Sequence, residues 1–487
     1  MKEDVGLLGP EIALAASAVI GLLAGSWLPR QRQWLVRALA ATACLAGLAA
    51  AGFGATQPAT TDFSASYDID VVTSTTRIVV LGATLLVLCL AAGPFAAHPR
   101  ETEFYVLLQL AALGTIVLAG AGDLLLLFAG YLLASIPGYA LAAFAKDRSG
   151  TEAAMKYYLL SALLGVFMLA GITLLVGAGG TTGYPGLRAD LASAPHGTVT
   201  AGLVAVLAGL LFKAGGVPAH FWIPDVTEGS SGPAAAFLAT VPKIGALAAL
   251  FRLLTTAIPV TAVDWPLLAA VLAAATMTLG NLAAFFQTSV RRLLGYSSIS
   301  QAGYLLMALA AARSGLAAKS LLFYLAAYAA TNLAAFAVAT ELPAATTLDS
   351  YRGLARRRPG LAAVLLVCLL GLIGTPPTGV FIGKLEIFTA AIDGGYTWLA
   401  VLAVANTVAS VFYYLRWLVP AFSRPPDSAP RARPGRAGPA AGRGPLASRR
   451  RVRRRRHLGN AGSRRRRDPA AARRRGAVIE KTPPRTL

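Results

Sequence analysis

The chain alternates long apolar runs with short polar punctuation, and its apolar positions are continuous rather than spaced every second residue. Runs of about 20 mostly apolar residues, the length a helix needs to cross a bilayer, recur about thirteen times. They fall near 10–28, 34–54, 77–97, 104–120, 123–145, 153–177, 198–221, 233–256, 265–287, 293–312, 317–340, 361–390 and 397–420. Continuity argues against a transmembrane β-barrel, whose strands alternate apolar and polar positions. The pattern predicts an all-α polytopic membrane protein of about 13 transmembrane helices. The first run lacks a basic start and leads directly into a second run, so it reads as a span and not as a signal peptide.

Two runs are interrupted by helix breakers. In "LFKAGGVPAHFWIPD", Leu211–Asp225, Gly215, Gly216 and Pro218 follow Lys213 at once. In "GLIGTPPTGVFIGKLEIF", Gly371–Phe388, Pro376 and Pro377 precede Lys384. Five runs separate the two breaks. Paired broken helices at equivalent positions of two halves point to inverted five-helix repeats, because an odd number of spans per repeat turns the second copy upside down. Non-helical backbone at that depth survives only where protein or water satisfies its polar groups.

Composition sharpens the picture. The chain is 56% hydrophobic and 14% charged over 487 residues, against roughly a quarter charged in soluble domains. The net charge of +22 is unevenly placed. From Arg424 onward there are 21 of the 44 Lys and Arg but only Asp427, Asp468 and Glu480 as acids, so that stretch carries +18. Eleven of the other 23 cluster after runs one, five, nine and eleven: Arg30, Arg32 and Arg37; Lys146 and Arg148; Arg291 and Arg292; Arg352, Arg356, Arg357 and Arg358. Asp62, Asp68, Asp70, Asp264 and Asp393 fall on the other side. The positive-inside rule then puts the N-terminus outside and the basic tail in the cytoplasm. Trp27, Trp34, Trp222, Trp265, Trp398 and Trp417 sit near run ends, as an interfacial belt requires. Cys44, Cys89 and Cys368 are scattered, which suggests neither a disulfide framework nor an iron–sulfur or zinc site.

A cation inside an apolar run costs about 2.5–3.5 kcal/mol on insertion scales. Four lysines incur that cost: Lys156, Lys213, Lys243 and Lys384. One reading is a buried proton relay, because burial moves a lysine pKa toward neutrality. The other is snorkelling, with the stem in lipid and the ammonium at the headgroups. Lys213, Lys243 and Lys384 each lie beside a breaker, which favours the relay; Lys156 does not. His220, about two turns past Lys213, titrates in the useful range or serves as an ordinary structural residue. "GYSSISQAGY", Gly295–Tyr304, supplies hydroxyls and an amide for a water chain or for helix–helix hydrogen bonds.

These residues sit in recognisable stretches. "FKAGGVPAHFWIPDVTEGSSGPAAAFLATVPK", "RRLLGYSSISQAGYLL", "YAATNLAAFAV", "GLARRRP" and "GTPPTGVFIGK" resemble, in order, subunit N of the proton-pumping NADH:quinone oxidoreductase, respiratory complex I, within the antiporter-like membrane subunits. The resemblance covers roughly residues 1–423. It implies fourteen spans, inverted repeats of five, and broken seventh and twelfth helices. It implies a hydrophilic axis with Lys213 as the broken-helix lysine, Lys243 as the central relay lysine, Lys384 as the terminal lysine and His220 between the first two. It implies a multi-pass protein of the bacterial cell membrane, partnered by other membrane subunits and the lipid bilayer. No cofactor is expected on the subunit itself; NADH and quinone are used by the whole complex. The segments expected are 1–103 (helices 1–3), 104–257 and 258–423 (the two repeats) and a tail at 424–487.

Two departures stand out. The family pattern F-L-G-x-E-L-x-S-L-P carries a glutamate where "FAGYLLASIP" has Leu132. That carboxylate would pair with the broken-helix lysine and favour its charged form. Asp123 is no substitute, being about 13 Å along a helix and half a turn away. This departure suggests altered or weakened pumping. The second departure is the end. Where the family continues to a fourteenth span, this chain reads "SRPPDSAPRARPGRAGPAAGRGPLASRRRVRRRRHLGN". That composition cannot bury a core, so a disordered segment is expected. It either contacts anionic lipid headgroups or is a shifted reading frame of a GC-rich gene. No aromatics interleave its arginines, so specific nucleic-acid binding is not expected. Two other functional readings stay open at this point: a cation/proton antiporter subunit, and a non-pumping structural or assembly paralogue.

Overall fold

A computed structural model of the chain describes residues 5–63 and 65–424; the expectations for the tail lie outside them. The chain begins with α1 (Gly9–Trp27) and α2 (Trp34–Gly54). A short antiparallel hairpin follows, β1 (Thr60–Asp62) and β2 (Tyr67–Ile69). Then come α3 (Val71–Ala91), α4 (Glu101–Gly120), α5 (Leu124–Ala142) and α6 (Arg148–Gly179). The short α7 (Tyr184–Asp190) leads to α8 (His196–Ala214) and α9 (Trp222–Gly229). Next are α10 (Gly232–Arg252), which runs on as a π-turn over Leu253–Ala257, α11 (Trp265–Ala284), α12 (Val290–Ala310) and α13 (Ala317–Glu341). The four-residue α14 (Leu354–Arg357), α15 (Pro359–Ile373), α16 (Gly379–Asp393) and α17 (Thr397–Phe422) complete the described chain.

Among the described residues, eleven helices are long and apolar enough to cross a membrane. The other two runs fold differently. One is α12, long enough but rich in serine and glycine; the other is the pair α15 and α16, each 15 residues long. Both broken runs are broken where expected, at 215–221 and 374–378. The third run was misplaced. The expected span at 77–97 is the helix Val71–Ala91, because Asp70 caps its first turn by accepting from the Thr73 N–H at 2.9 Å. Arg77, at the edge of the expected run, is buried within this helix. Its guanidinium donates to both Glu11 oxygens at 2.7 and 2.9 Å, and the Tyr67 hydroxyl donates to Glu11 at 2.6 Å. A paired arginine is tolerated at such a depth where a lone one is not.

The hairpin is locked to the helical bundle by Arg252, at the end of α10. Its guanidinium reaches Asp68 at 2.8 Å, Asp70 at 2.7 Å, the Thr73 hydroxyl at 2.9 Å and the Ala119 carbonyl at 3.1 Å. Burial raises the Asp68 carboxyl, and the Arg252 charge only partly offsets it. Burial also acts on Asp70, but the hydrogen bond and charge of Arg252 and the Thr73 amide outweigh it and hold Asp70 below its ordinary value.

α10 is the axis of the molecule. Its apolar window is 94% buried, against 28–72% for the other spanning helices. A helix apolar all round belongs in a core, and α3, α4, α8, α12 and α13 surround it. Close helix approach rests on small residues. At Gly303 an added Cβ would lie 2.3 Å from the Met277 amide nitrogen, which fixes how tightly α12 lies on α11.

Candidate functional site

Both breaks are built the same way. α8 ends at Gly215, left-handed at φ +77°, and the Gly216 N–H returns to the Leu211 carbonyl at 2.8 Å. α15 ends at Gly374, φ +88°, and the Thr375 N–H returns to Leu370 at 3.1 Å. This is the glycine C-cap in which the residue beyond the glycine bonds back across the last turn. A cis X-Pro bond follows in each, Val217–Pro218 and Pro376–Pro377. The second half then restarts, α16 with Thr378 as its N-cap.

The three breaker-associated lysines are all internal. Lys213 is 1% exposed, and Lys243 and Lys384 are each 2% exposed. This settles burial against snorkelling for all three. Lys156 goes the other way. Its side chain is 47% exposed, paired with Glu152 at 2.9 Å and Asp225 at 3.0 Å.

Each buried ammonium has a distinct partner set. Lys213, in the last turn of α8, lies 3.4 Å from the Tyr157 hydroxyl, with its charge over the rings of Tyr131 (5.3 Å) and Tyr157 (5.6 Å). Tyr157 stacks on Trp222, whose indole N–H donates to the Phe212 carbonyl at 2.8 Å. α9 is thereby tied to the end of α8 across the break. Lys243 donates to the hydroxyl and the carbonyl of Ser298, and its charge lies over Tyr328 at 5.3 Å. Ser298 and Tyr328 join hydroxyls at 2.8 Å. Lys384 donates to the Ile373 carbonyl at 2.9 Å and lies over Tyr304 at 4.3 Å. That carbonyl is one a helix leaves unpaired at its C-terminus, so the break itself supplies the cation's acceptor.

Helices α12 and α13 carry a polar seam between Lys243 and Lys384. One turn from Ser298, Gln301 donates to the Leu372 carbonyl at 2.9 Å and accepts from the Tyr324 hydroxyl. Tyr324 lies one turn from Tyr328 on α13. Beyond Lys384, Thr407 donates to the Tyr304 hydroxyl at 3.1 Å. The "SSISQAGY" stretch makes the helix–helix hydrogen bonds expected of it, Ser300 to Asn281 at 3.0 Å, and its Ser298, Gln301 and Tyr304 face the buried lysines and their partners.

Lys243 and Lys384 also touch the breaks. A Cβ on Gly215 would lie 3.8 Å from the Lys243 Cε, and one on Gly374 would lie 2.9 Å from the Lys384 Cδ. His220 lies in the first break, 3% exposed, and its Nδ1 has no hydrogen-bond partner among the described residues. An unpartnered buried nitrogen beside broken backbone is a place for an ordered water.

The carboxylate question has a structural answer. Leu132 is 37% exposed, on the outward stripe of α5 with Leu125 and Ile136, while its neighbour Tyr131 turns inward under Lys213. Lys213 thus has aromatic faces where the sequence comparison pictured an ion pair, and a cation over such a face gains about 0.5–2 kcal/mol. Asp123 is occupied as the N-cap of α5, accepting from Leu125 at 2.7 Å. Sequence reasoning missed Tyr131, Tyr157 and Tyr328. The spacing of Tyr324 and Tyr328, one turn apart in an apolar helix, was the available signal.

Comparisons with known proteins agree with this geometry. The family model described as NADH:quinone oxidoreductase/Mrp antiporter, TM, matches residues 121–410. The chain is 57% identical over 427 residues to NADH-quinone oxidoreductase subunit N 1 of Streptomyces griseus, covering 87% of this chain and 89% of that one. It is 52% identical over 423 residues to NADH-quinone oxidoreductase subunit N of a Mycobacterium species, covering 87% and 90%. Among solved structures, a chain of respiratory complex I from Thermus thermophilus superposes with TM-score 0.73 at 33% identity, covering 86% of this chain and 91% of that one. A chain of the Mrp complex from Dietzia shares the fold, with TM-score 0.76 at 23% identity over 87% of this chain and 81% of that one.

Proposed function

Because this chain belongs to the subunit N family of NADH-quinone oxidoreductase, the antiporter-like membrane subunits of complex I, we propose that Lys213, Lys243 and Lys384 pass protons along the seam between its two broken helices. The supporting observation is that three ammonium groups are buried away from lipid, and each finds hydroxyls, carbonyls or aromatic faces in place of carboxylates. A lysine so placed can change charge without breaking a strong ion pair, which a carrier needs. His220, with its free ring nitrogen in the first break, serves between Lys213 and Lys243.

In this reading residues 1–103 form an N-terminal helical segment and residues 104–257 and 258–423 two inverted repeats. Quinone reduction elsewhere in the complex changes the charge or hydration at one end of the lysine row, and neighbouring lysines respond in turn. NADH and quinone bind other subunits, and this chain holds no redox centre. Other membrane subunits flank it in the bacterial cell membrane, with the N-terminus outside and the arginine-rich loops and tail cytoplasmic. With Leu132 turned outward, no carboxylate faces Lys213, and its ammonium meets only the Tyr157 hydroxyl and the aromatic faces of Tyr131 and Tyr157.

The test is graded. Lys384→Met is expected to abolish quinone-driven proton uptake by vesicles carrying the assembled complex. Gly374→Ala is expected to reduce it only partly. An alanine at positive φ costs about 1–2 kcal/mol, and its Cβ displaces the Lys384 stem. Wild-type proton uptake in Lys384→Met would remove Lys384 from the pathway.

A further inference from the structure

A cleft of about 410 Å³ opens between the end of α13 and the start of α15, and none of the three buried lysines lines it. Glu341, Arg357 and Arg358 line it together with apolar residues that include Leu342 and Pro343. The opposite charges have not met. Among the described residues Glu341 makes no ion pair, Arg358 makes no side-chain hydrogen bond, and Arg357 donates only to the Arg352 carbonyl at 2.8 Å. The helix ends reinforce the division. Glu341 closes α13 at its negative C-terminal end, and Arg358 is the N-cap of α15 at its positive end. The hydroxyl of Tyr351, a residue that also lines the cleft and is fully buried, has no hydrogen-bond partner.

We propose that this cleft seats the zwitterionic headgroup of an aminophospholipid of the phosphatidylethanolamine class. The phosphate lies against Arg357 and Arg358, with the Tyr351 hydroxyl as a further donor, and the ammonium lies against Glu341. α13 is a spanning helix, so its end marks the level where hydrocarbon gives way to headgroups, and the apolar floor meets the glycerol end of the lipid. Basic pockets between helices at that level are headgroup sites. Here the added carboxylate selects for a positive partner as well. The chain's own tail is no candidate, since 21 basic against three acidic residues give it the sign of the arginines. The site stands apart from the relay, and its test does not depend on pumping.

The assembled complex is purified from vesicles containing equal parts phosphatidylethanolamine, phosphatidylglycerol and phosphatidylcholine, and the retained lipid is measured by native mass spectrometry. The wild type is expected to retain the ethanolamine lipid over the other two. Joint Arg357→Gln and Arg358→Gln is expected to cut that retention about tenfold, the loss of one charge-assisted hydrogen bond. Arg356→Gln, outside the cleft, is expected to change nothing. Glu341→Gln is expected to reverse the preference toward the anionic phosphatidylglycerol, an outcome no general weakening of the fold produces. An unchanged ratio in Glu341→Gln, or full retention in the double arginine variant, overturns the proposal. Release of the lipid by inorganic phosphate as readily as by soluble phosphoethanolamine also overturns it, since the site would then take a free phosphate and ignore the ammonium.

Discussion

Lys243→Met is expected to stop proton translocation, by a factor on the order of 10² or more, the usual worth of a positioned proton-transfer group. Lys243→Arg is expected to rescue little of it. The lysine is 2% exposed in the most deeply buried helix, held by Ser298 and passing close to Gly215. A guanidinium keeps the charge but cannot release its proton. The two variants therefore separate a carrier from a fixed charge. Quinone-driven proton uptake by vesicles is the measurement. An arginine variant that pumps like the wild type would show that Lys243 is needed only for its charge.

The second large effect concerns stability. Arg252→Leu is expected to destabilise the protein by about 2–3 kcal/mol, the lower end for breaking a buried charge pair because both aspartates are partly wet. It removes the bonds to Asp68, Asp70, Thr73 and Ala119 that join the hairpin to the end of α10. Acidity adds a signature. In the wild type the Asp70 carboxyl lies below its ordinary value, so its contribution is present above the unfolded pKa and is lost only as pH falls through the lower folded one. Without the arginine, burial and the neighbouring Asp70 charge raise Asp68 unopposed, and burial raises Asp70 against only the Thr73 hydrogen bonds. Their contribution then favours acid, and the stability gap between wild type and variant should narrow as pH drops below about 5. Thermal unfolding across that range checks both size and sign. A gap that widens in acid would show that the guanidinium is not what holds the carboxylates ionised.

Much of this was readable in the chain. Long apolar runs gave the helices, and Gly215, Gly374 and the prolines gave both breaks, since only a few residues allow a left-handed cap followed by a restart. Lys213, Lys243 and Lys384 were identifiable because an ammonium in an apolar run demands a reason. Arg77 went unremarked because the run was placed to begin at it, and its partner Glu11 lies in a different helix. The aromatic floor under Lys213 was hidden likewise. Whether Tyr131 or Leu132 faces inward depends on the rotation of α5, which packing decides and an evenly apolar helix does not announce.

The burial of α10 on every side has a consequence for how the chain is made. Lys243 leaves the ribosome before Ser298, which lies 55 residues later, and before the tyrosine of α13 that covers it. During that interval the helix has only the earlier helices to shelter a naked cation. Insertion of α10 must therefore wait, or lean on α3, α4 and α8, until α12 and α13 arrive to close around it. Biogenesis is thus coupled between early and late helices at the same lysine that the proposed relay places at its centre.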